Sequence, residues 1–239
     1  MYQEKFFISS GDVDDHFALR LSSIFQFFQI VSTNHSELLG LGKKETWDKG
    51  MCWVITRMKV VVHKLPKMLD TITVQTHPGE IMSFLFPRFY QIYSEQGELL
   101  VSGSACWTLL DAKTHKVIVK PVEETIAYPS EKHPDDISLP ERVIGNDLSL
   151  VDTRKVRYSD IDLNTHVNNV KYIEYIIDTH DVNFYNKNSI KEIVINFERE
   201  MTIGNEVNFF SNGNNPEVIV GEVDNIRRFS AKITYEKRK

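Results

Sequence analysis

Two similar stretches decide the fold of this 239-residue chain: GDVDDHFALRLSSIFQFF at residues 11–28 and SDIDLNTHVNNVKYIEYI at residues 159–176. They align without gaps, with Asp14 on Asp162, at an offset of 148 residues (162 minus 14). Self-similarity at a fixed spacing indicates that one supersecondary unit is used more than once. The sequence therefore predicts an internally duplicated chain.

Each copy leads into the same order of predicted elements. Between Leu19 and Leu39 apolar residues recur at steps of three and four, which predicts a helix that buries one stripe. A second helix is predicted from about His166 to His180. Strand-like apolar runs follow the first helix at 53–63, 70–76, 84–94 and 97–111 and the second helix at 192–200, 205–211, 217–224 and 227–237. A short run at 153–159 precedes the second helix. We predict an α+β fold in which each half holds one helix and several strands.

The segment between the copies differs from both in composition. It holds several prolines and acidic residues and little periodicity, which is typical of an extended linker. We predict a first domain over 1–125, a linker over 126–148 and a second domain over 149–239. Beyond the first helix the offset between the copies falls to 135 residues, which predicts a longer loop at KKETWDKGM, residues 43–51.

Three polar residues of the second half are replaced by residues of another kind in the first half. The aligned pairs are Asn164 with His16, His166 with Ala18, and Glu200 with Leu65. A histidine ahead of a helix suits reaction at an acyl carbonyl, because the exposed N–H groups there stabilise developing negative charge. A carboxylate nearby could abstract a proton from water. We predict one reaction centre per chain, in the second half.

Other roles for the segment 160–169 remain open. Asp, Asn and Thr residues ahead of a helix also cap its unpaired N–H groups, which would explain one or two of them. A calcium loop is disfavoured, because Thr165 stands where the sharp turn requires glycine and Lys171 stands where a bidentate glutamate belongs. We predict no metal and no cofactor.

Charge and hydropathy disfavour several classes of function. The net charge of −5 argues against bulk nucleic-acid binding, which requires a broadly basic surface. No window approaches about 18 uninterrupted apolar residues, and the first residues do not form a secretory signal. We expect a soluble, cytoplasmic protein without membrane insertion. Cys52 and Cys106 lie in strand-like runs, where thiols are usually small buried hydrophobes.

Three blocks resemble the acyl-ACP thioesterases, the plant and bacterial enzymes that end fatty-acid synthesis. The most specific is DLNTHVNNVKYIEYI (162–176), which follows the family pattern D-x-N-x-H-V-N-N-V-K-Y-I. The others are CWVITRMKVVVHKLPKMLDTITVQTHP (52–78) and NFERE (196–200). The resemblance covers nearly the whole chain. It implies a tandem double hotdog fold, in which each antiparallel sheet wraps a long central helix.

The resemblance also implies an activity, the hydrolysis of fatty acyl-ACP to a free fatty acid and ACP by activated water. Its catalytic set maps onto Asp162, Asn164, His166 and Glu200. Glu200 would be the general base, Asn164 and His166 would position the water and the thioester, and Asp162 would hold the loop. The reverse assignment, with His166 as the base and Glu200 orienting it, is equally open.

Two further expectations concern the reaction itself. The backbone N–H groups of Val167 and Asn168 are expected to receive the oxyanion. Met201 follows Glu200 where some family members carry cysteine, and a thioether cannot attack a thioester. We therefore expect no acyl-cysteine intermediate.

Substrate contacts are expected in both halves. An acyl tunnel is predicted between the helix and the sheet of the first half, although aromatic residues and Met at such spacing are more often plain core. The candidate lining residues are Phe28, Met51 and Trp53. ACP is acidic by the resemblance, so a local basic surface is expected to bind it, with solvated faces as the alternative. The candidate docking residues are Arg57, Lys59, Lys64 and Arg199.

Two rival functions share this fold. An acyl-CoA thioesterase would use the same chemistry on a nucleotide-bearing substrate. A hotdog protein that binds acyl chains without hydrolysing them would not need the polar set of the second half. Hotdog sheets often pair edge to edge, so either a homodimer or the internal duplication within one chain could satisfy that pairing.

Overall fold

The computed structural model describes residues 1–118 and 128–238 and divides the chain into two compact units, Met1–Pro140 and Glu141–Lys239. This division falls inside the segment 126–148 that the sequence predicts as a linker. Residues 119–127, which hold the end of the predicted first domain and the start of the linker, lie outside the described residues. The predicted domain boundaries therefore stay a prediction.

The first unit is an antiparallel sheet with a long helix packed on it. Its elements are β1 (Tyr2–Phe7), α1 (Leu21–Leu38), α2 (Lys43–Trp47), β2 (Met51–Val62), β3 (Thr71–Pro78), β4 (Phe86–Ser94) and β5 (Leu99–Asp111). The strands lie in the order β1-β3-β4-β5-β2. The predicted helix and all four predicted strands are confirmed, and α2 occupies the place of the predicted longer loop.

The second unit repeats this arrangement. Its elements are β6 (Ser149–Lys155), α3 (Asn169–Ile177), α4 (Val182–Tyr185), β7 (Asn188–Phe197), β8 (Glu206–Ser211), β9 (Glu217–Val223) and β10 (Ile226–Lys237). The strands lie in the order β7-β10-β9-β8-β6. None of the helices in the described part of the chain combines the length and the apolar character that crossing a bilayer requires.

Each long helix is held by apolar packing against its own sheet. In the first unit Ile24 and Phe28 are fully buried, and the Phe28 ring stacks on Tyr90 at 4.5 Å. In the second unit the ring of Tyr172 meets that of Phe229 at 5.4 Å. Burying one such side chain contributes about 1.5–3 kcal/mol. The buried stripe predicted for α1 is confirmed as far as the last turn of the helix.

Two elements differ from the prediction. The helix α3 begins at Asn169 and not near His166, because Thr165 has a left-handed φ of 66° and the Asn168 side chain caps the helix by accepting the N–H of Val170. The strand β1 was not predicted. Its residues alternate between half-buried and exposed. The strand has only six residues and two of them are charged, so its period of two is not recognised in the sequence.

Hydrogen bonds confirm the duplication at the level of single atoms. The bond from Asp14 N to Ala18 O in the first unit corresponds to the bond from Asp162 N to His166 O in the second, and both measure 2.8 Å. The bond from Leu19 N to Pro66 O at 2.9 Å corresponds to the bond from Val167 N to Met201 O at 2.8 Å. The first pair has the offset of 148 residues and the acceptors of the second pair have the offset of 135. Both alignments read from the sequence are therefore correct.

Candidate active site

The candidate active site is built on the loop that leads into α3. The carboxylate of Asp162 accepts the N–H of Asn164 at 2.8 Å, and its carbonyl accepts the N–H of Thr165 at 3.1 Å. The N–H of Asp162 donates to the carbonyl of His166. These bonds close a tight turn from which His166 projects. The side chain of His166 is 30% exposed.

In the first unit the counterpart of Asp162 is Asp14, and the position equivalent to His166 holds Ala18. Asp14 accepts the N–H groups of His16 and Ala18, both at 2.9 Å. The equivalent carboxylate therefore holds the equivalent turn in the unit that has no counterpart of His166. This comparison supports the role predicted for Asp162, and we propose that Asp162 holds the loop.

Glu200 reaches the loop from the other side. Strand β7 ends at Phe197, and the chain continues to Met201, whose carbonyl accepts the N–H of Val167 at 2.8 Å. This bond ties the segment after β7 to the loop before α3. As a result Glu200 Oε2 lies 3.2 Å from His166 Nε2, and the side chain of Glu200 is 47% exposed. The structure thus brings together the two residues on which the predicted chemistry depends.

The prediction for the oxyanion needs correction. The N–H of Val167 donates to the Met201 carbonyl, and the N–H of Asn168 donates to the Asp160 carbonyl at 2.9 Å. Because both donors already have acceptors, they are not free to receive an oxyanion in this structure. Within residues 1–118 and 128–238 the N–H of Asn169, the first of α3, has no acceptor, so it is a candidate that remains.

Asn164, on the loop before α3, and Tyr172, on α3, differ in burial. The side chain of Asn164 is exposed and, within the described residues, makes no hydrogen bond, so its predicted role stays a proposal. Tyr172 is buried on α3 beside the backbone of Met201. Burial raises the pKa of Tyr172 well above its usual range, and the nearby charge of Glu200 raises it further. Its hydroxyl therefore stays protonated.

The predicted lining residues of the first unit do not form one group. Met51 belongs to a buried cluster with Leu41, Phe86 and Leu109, and Trp53 packs on this cluster while its indole N–H donates to the Leu41 carbonyl at 3.0 Å. Phe28 packs elsewhere. Its ring covers Gly103, near the start of β5, whereas Met51 pairs with Asp111 at the end of that strand. Phe28 is therefore a residue of the helix–sheet core.

The predicted docking residues are also dispersed. Lys64 is exposed and pairs with Glu98 at 2.9 Å, and Lys59 lies 3.3 Å from the Ser138 hydroxyl. Arg57 is half-buried on the same strand as Lys59. Arg199 belongs to the second unit and is exposed, next to Glu200 in sequence. Each is a local cation, and a common docking role for them stays a proposal.

A helix packed on an antiparallel sheet, present twice in one chain, defines a tandem hotdog protein. Solved structures have the same fold. An acyl-ACP thioesterase from Bacteroides thetaiotaomicron superposes with a TM-score of 0.90 at 21% identity, covering 98% of this chain and 97% of that one. A 12:0-ACP thioesterase from Umbellularia californica gives 0.85 at 18% identity, with 99% and 97% covered. The predicted double hotdog fold is therefore confirmed.

Family models identify the particular group of hotdog proteins. Residues 1–128 match the model for the acyl-ACP thioesterase N-terminal domain, and residues 146–237 match the model for the C-terminal domain. The chain belongs to the acyl-ACP thioesterase family. The resemblance seen in the sequence motifs is confirmed by these matches.

Curated relatives are similar over most of this chain. A chloroplastic palmitoyl-acyl carrier protein thioesterase of Arabidopsis thaliana is 26% identical over 219 residues, covering 84% of this chain and 52% of the relative. A chloroplastic acyl-[acyl-carrier-protein] hydrolase of Cuphea viscosissima is 26% identical over 212 residues, covering 83% and 52%. The chain spans about half the length of these relatives.

Proposed function

We propose that this protein is an acyl-ACP thioesterase, which hydrolyses fatty acyl-ACP to a free fatty acid and ACP. The observation that carries the proposal is the 3.2 Å approach of Glu200 Oε2 to His166 Nε2 in the unit that matches the C-terminal domain. The first unit has Ala18 and Leu65 at the equivalent positions. Family membership and the names of the relatives supply the substrate class.

In the proposed mechanism Glu200 is the general base. A carboxylate is only an acceptor, so a proton on His166 Nε2 can point at Glu200 and fix one of its oxygens. The other oxygen takes a proton from water as that water attacks the thioester carbonyl. The tetrahedral intermediate then expels the thiolate of ACP, which takes up the proton from Glu200. The carbon–sulfur bond breaks and the carboxylic acid is released.

Three features support this water-based route. Both side chains are partly exposed, so water and a thioester have access to them. Met201, which follows the base, is fully buried and is not a nucleophile. Cys52 and Cys106 both belong to the first unit, where burial raises the pKa of the Cys106 thiol.

The first unit is proposed to be non-catalytic and to receive the acyl chain. The cluster around Met51 and Trp53 supports this role, because several of its rings remain half-buried at one end of the sheet. Phe28 packs against Gly103 between the helix and the sheet, and its place in the lining stays a proposal. A cytoplasmic location completes the proposal.

The test is thiol release from matched acyl-ACP and acyl-CoA thioesters of several chain lengths, measured with the full chain. We expect kcat/KM to be higher for at least one acyl-ACP than for any acyl-CoA. Preference for acyl-CoA would identify the acyl-CoA thioesterase, and binding without release from either series would identify the acyl-binding protein. Either outcome would overturn the proposal.

A further inference from the structure

Arg228 occupies an irregular position in the sheet of the second unit. Across β9 and β10 the residue Arg227 pairs with Glu222, and Phe229 pairs with Gly221, so Arg228 has no residue opposite it. This is a β-bulge. Bulges redirect a side chain and occur often beside active sites.

Arg228 binds the segment that carries Glu200 through two separate groups. Its backbone carbonyl accepts the N–H groups of Glu198 at 2.9 Å and Arg199 at 3.0 Å. Its guanidinium Nη1 donates to the carbonyl of Glu200 at 3.1 Å. Three consecutive residues after β7 are therefore attached to one arginine, and the last of them is the proposed base.

One atom of this guanidinium lacks a stabilising partner. The Nε of Arg228 is buried and makes no hydrogen bond in the described part of the chain. A buried, unpaired N–H group destabilises a fold by about 1–3 kcal/mol. Stability alone therefore does not favour arginine here, and polar groups of this kind are expected where they have another use.

The first unit provides the comparison. Between β4 and β5 the residue Tyr93 pairs with Leu99, and Ile92 pairs with Val101, which leaves Leu100 as the bulged residue. The Leu100 carbonyl accepts two consecutive N–H groups, both at 3.0 Å, as the Arg228 carbonyl does. The fold thus builds the same bulge with leucine. The guanidinium is present only in the unit that also has Glu200.

We infer that Arg228 is a positioning residue for hydrolysis, whose guanidinium holds the Glu200 backbone so that its carboxylate stays against His166. The inference rests on the proposed function. Without the bond from Nη1, Glu200 is held only through its two neighbours, Arg199 by the Arg228 carbonyl and Met201 by the N–H of Val167. A displacement of about 1 Å at a reacting group costs on the order of 100-fold in rate.

The test compares Arg228→Leu, Arg228→Lys and Arg227→Leu in the full chain with an acyl-ACP substrate. Leucine is the residue of the sister unit, so we expect Arg228→Leu to keep its melting temperature. We expect its kcat to fall about 10- to 100-fold with little change in KM. Lysine should restore part of kcat, because an ammonium also donates to a carbonyl. Arg227→Leu is the matched control and should behave as the wild type.

Two results would overturn the inference. One is an unchanged kcat in Arg228→Leu, and the other is a raised KM at unchanged kcat, which would indicate a docking contact. If Arg228→Leu does not fold, Arg228→Ala with added methylguanidine decides, since restored kcat supports positioning and no restoration refutes it. Glu200→Gln is assayed in parallel. If it is fully active the proposed function fails, whereas an inactive Glu200→Gln beside a normal Arg228→Leu refutes only the role of Arg228.

Discussion

At the residue scale, comparison of the two copies separates the side chains that build the loop from those that we propose to react. The carboxylates of Asp14 and Asp162 each accept the N–H of the residue two positions later, at 2.9 Å and 2.8 Å. His166 and Glu200 have only Ala18 and Leu65 as counterparts. A role shared by both units belongs to the fold, and a role confined to one unit belongs to the site. By this criterion we propose a structural role for Asp162 and a chemical role for the pair His166 and Glu200.

Substitutions of the two aspartates test that division. Asp162→Asn keeps an oxygen that accepts the N–H of Asn164, so we expect kcat within about tenfold of the wild type. Asp162→Ala should lower both kcat and the free energy of unfolding, the latter by about 0.5–2 kcal/mol. Asp14→Ala is the matched control and should lower only the free energy of unfolding. Urea titration and steady-state kinetics measure the two effects.

An Asp162→Asn variant as inactive as one without Glu200 would contradict this assignment. It would show that the charge of Asp162, and not its hydrogen bonds to the loop, is what the reaction requires. Loss of kcat in Asp14→Ala would contradict it in another way, because the first unit would then contribute to the chemistry.

At the element scale, a buried carboxylate connects β9 to the end of the helical segment in the second unit. Glu217 is buried and accepts the hydroxyl of Tyr235 at 2.9 Å, the Nε2–H of His180 at 2.7 Å and the hydroxyl of Ser211. Burial acts to raise the pKa of Glu217, but these hydrogen bonds outweigh burial and hold the pKa below its ordinary value.

The pH dependence of stability follows from that shift. Because the pKa of Glu217 is lower in the folded state, its contribution is present above the unfolded value of about 4.3 and is lost as the pH falls through the folded value. We expect Glu217→Gln to lower the free energy of unfolding by about 1–3 kcal/mol at pH 7 and by less at pH 3. Denaturant titrations at both pH values measure this difference.

Glu236→Gln is the matched control. Glu236 is half-exposed and lies 3.9 Å from Lys191, and such pairs contribute about 0–1 kcal/mol. Equal losses for Glu217→Gln at pH 7 and pH 3 would contradict the assigned direction of the pKa shift.

The elements were largely predictable from sequence, and the exceptions have physical causes. Long apolar runs such as β5 and the stripe of α1 have a clear period, and both were placed correctly. The helix α3 begins later than the sequence predicts, because Thr165 has a left-handed φ and the N–H groups of Val167 and Asn168 bond to Met201 and Asp160. The same bonds occupy the N–H groups of Val167 and Asn168. Residue spacing alone does not reveal such acceptors.

At the scale of the whole molecule, the sequence predicts the duplication and the approach of His166 to Glu200 but not the surfaces. The pair His166 and Glu200 was predictable because the motif and the missing counterparts agree. The docking residues were not predictable, because the spacing of surface charges follows no regular pattern. Lys64 proves to be paired with Glu98, whereas Arg199 is exposed beside the proposed base.

Charge reversal tests carrier-protein docking. If Arg199 meets an acidic surface of ACP, Arg199→Glu should raise KM for acyl-ACP about tenfold and leave KM for small acyl thioesters unchanged. The effect should shrink as salt is added, because exposed charges are screened. Lys64→Glu should have a smaller effect, since Lys64 already has an acidic neighbour. Equal changes in KM for both substrate types would contradict a docking role.

The most direct test of the account is single-turnover hydrolysis of acyl-ACP by Glu200→Gln, with Leu65→Gln at the equivalent position of the first unit as control. Glutamine keeps the shape of the side chain but removes its basicity. We predict that Glu200→Gln slows thioester cleavage by about 100- to 10,000-fold while Leu65→Gln remains active. Cleavage by Glu200→Gln at the wild-type rate would contradict the assignment of the reaction to this pair.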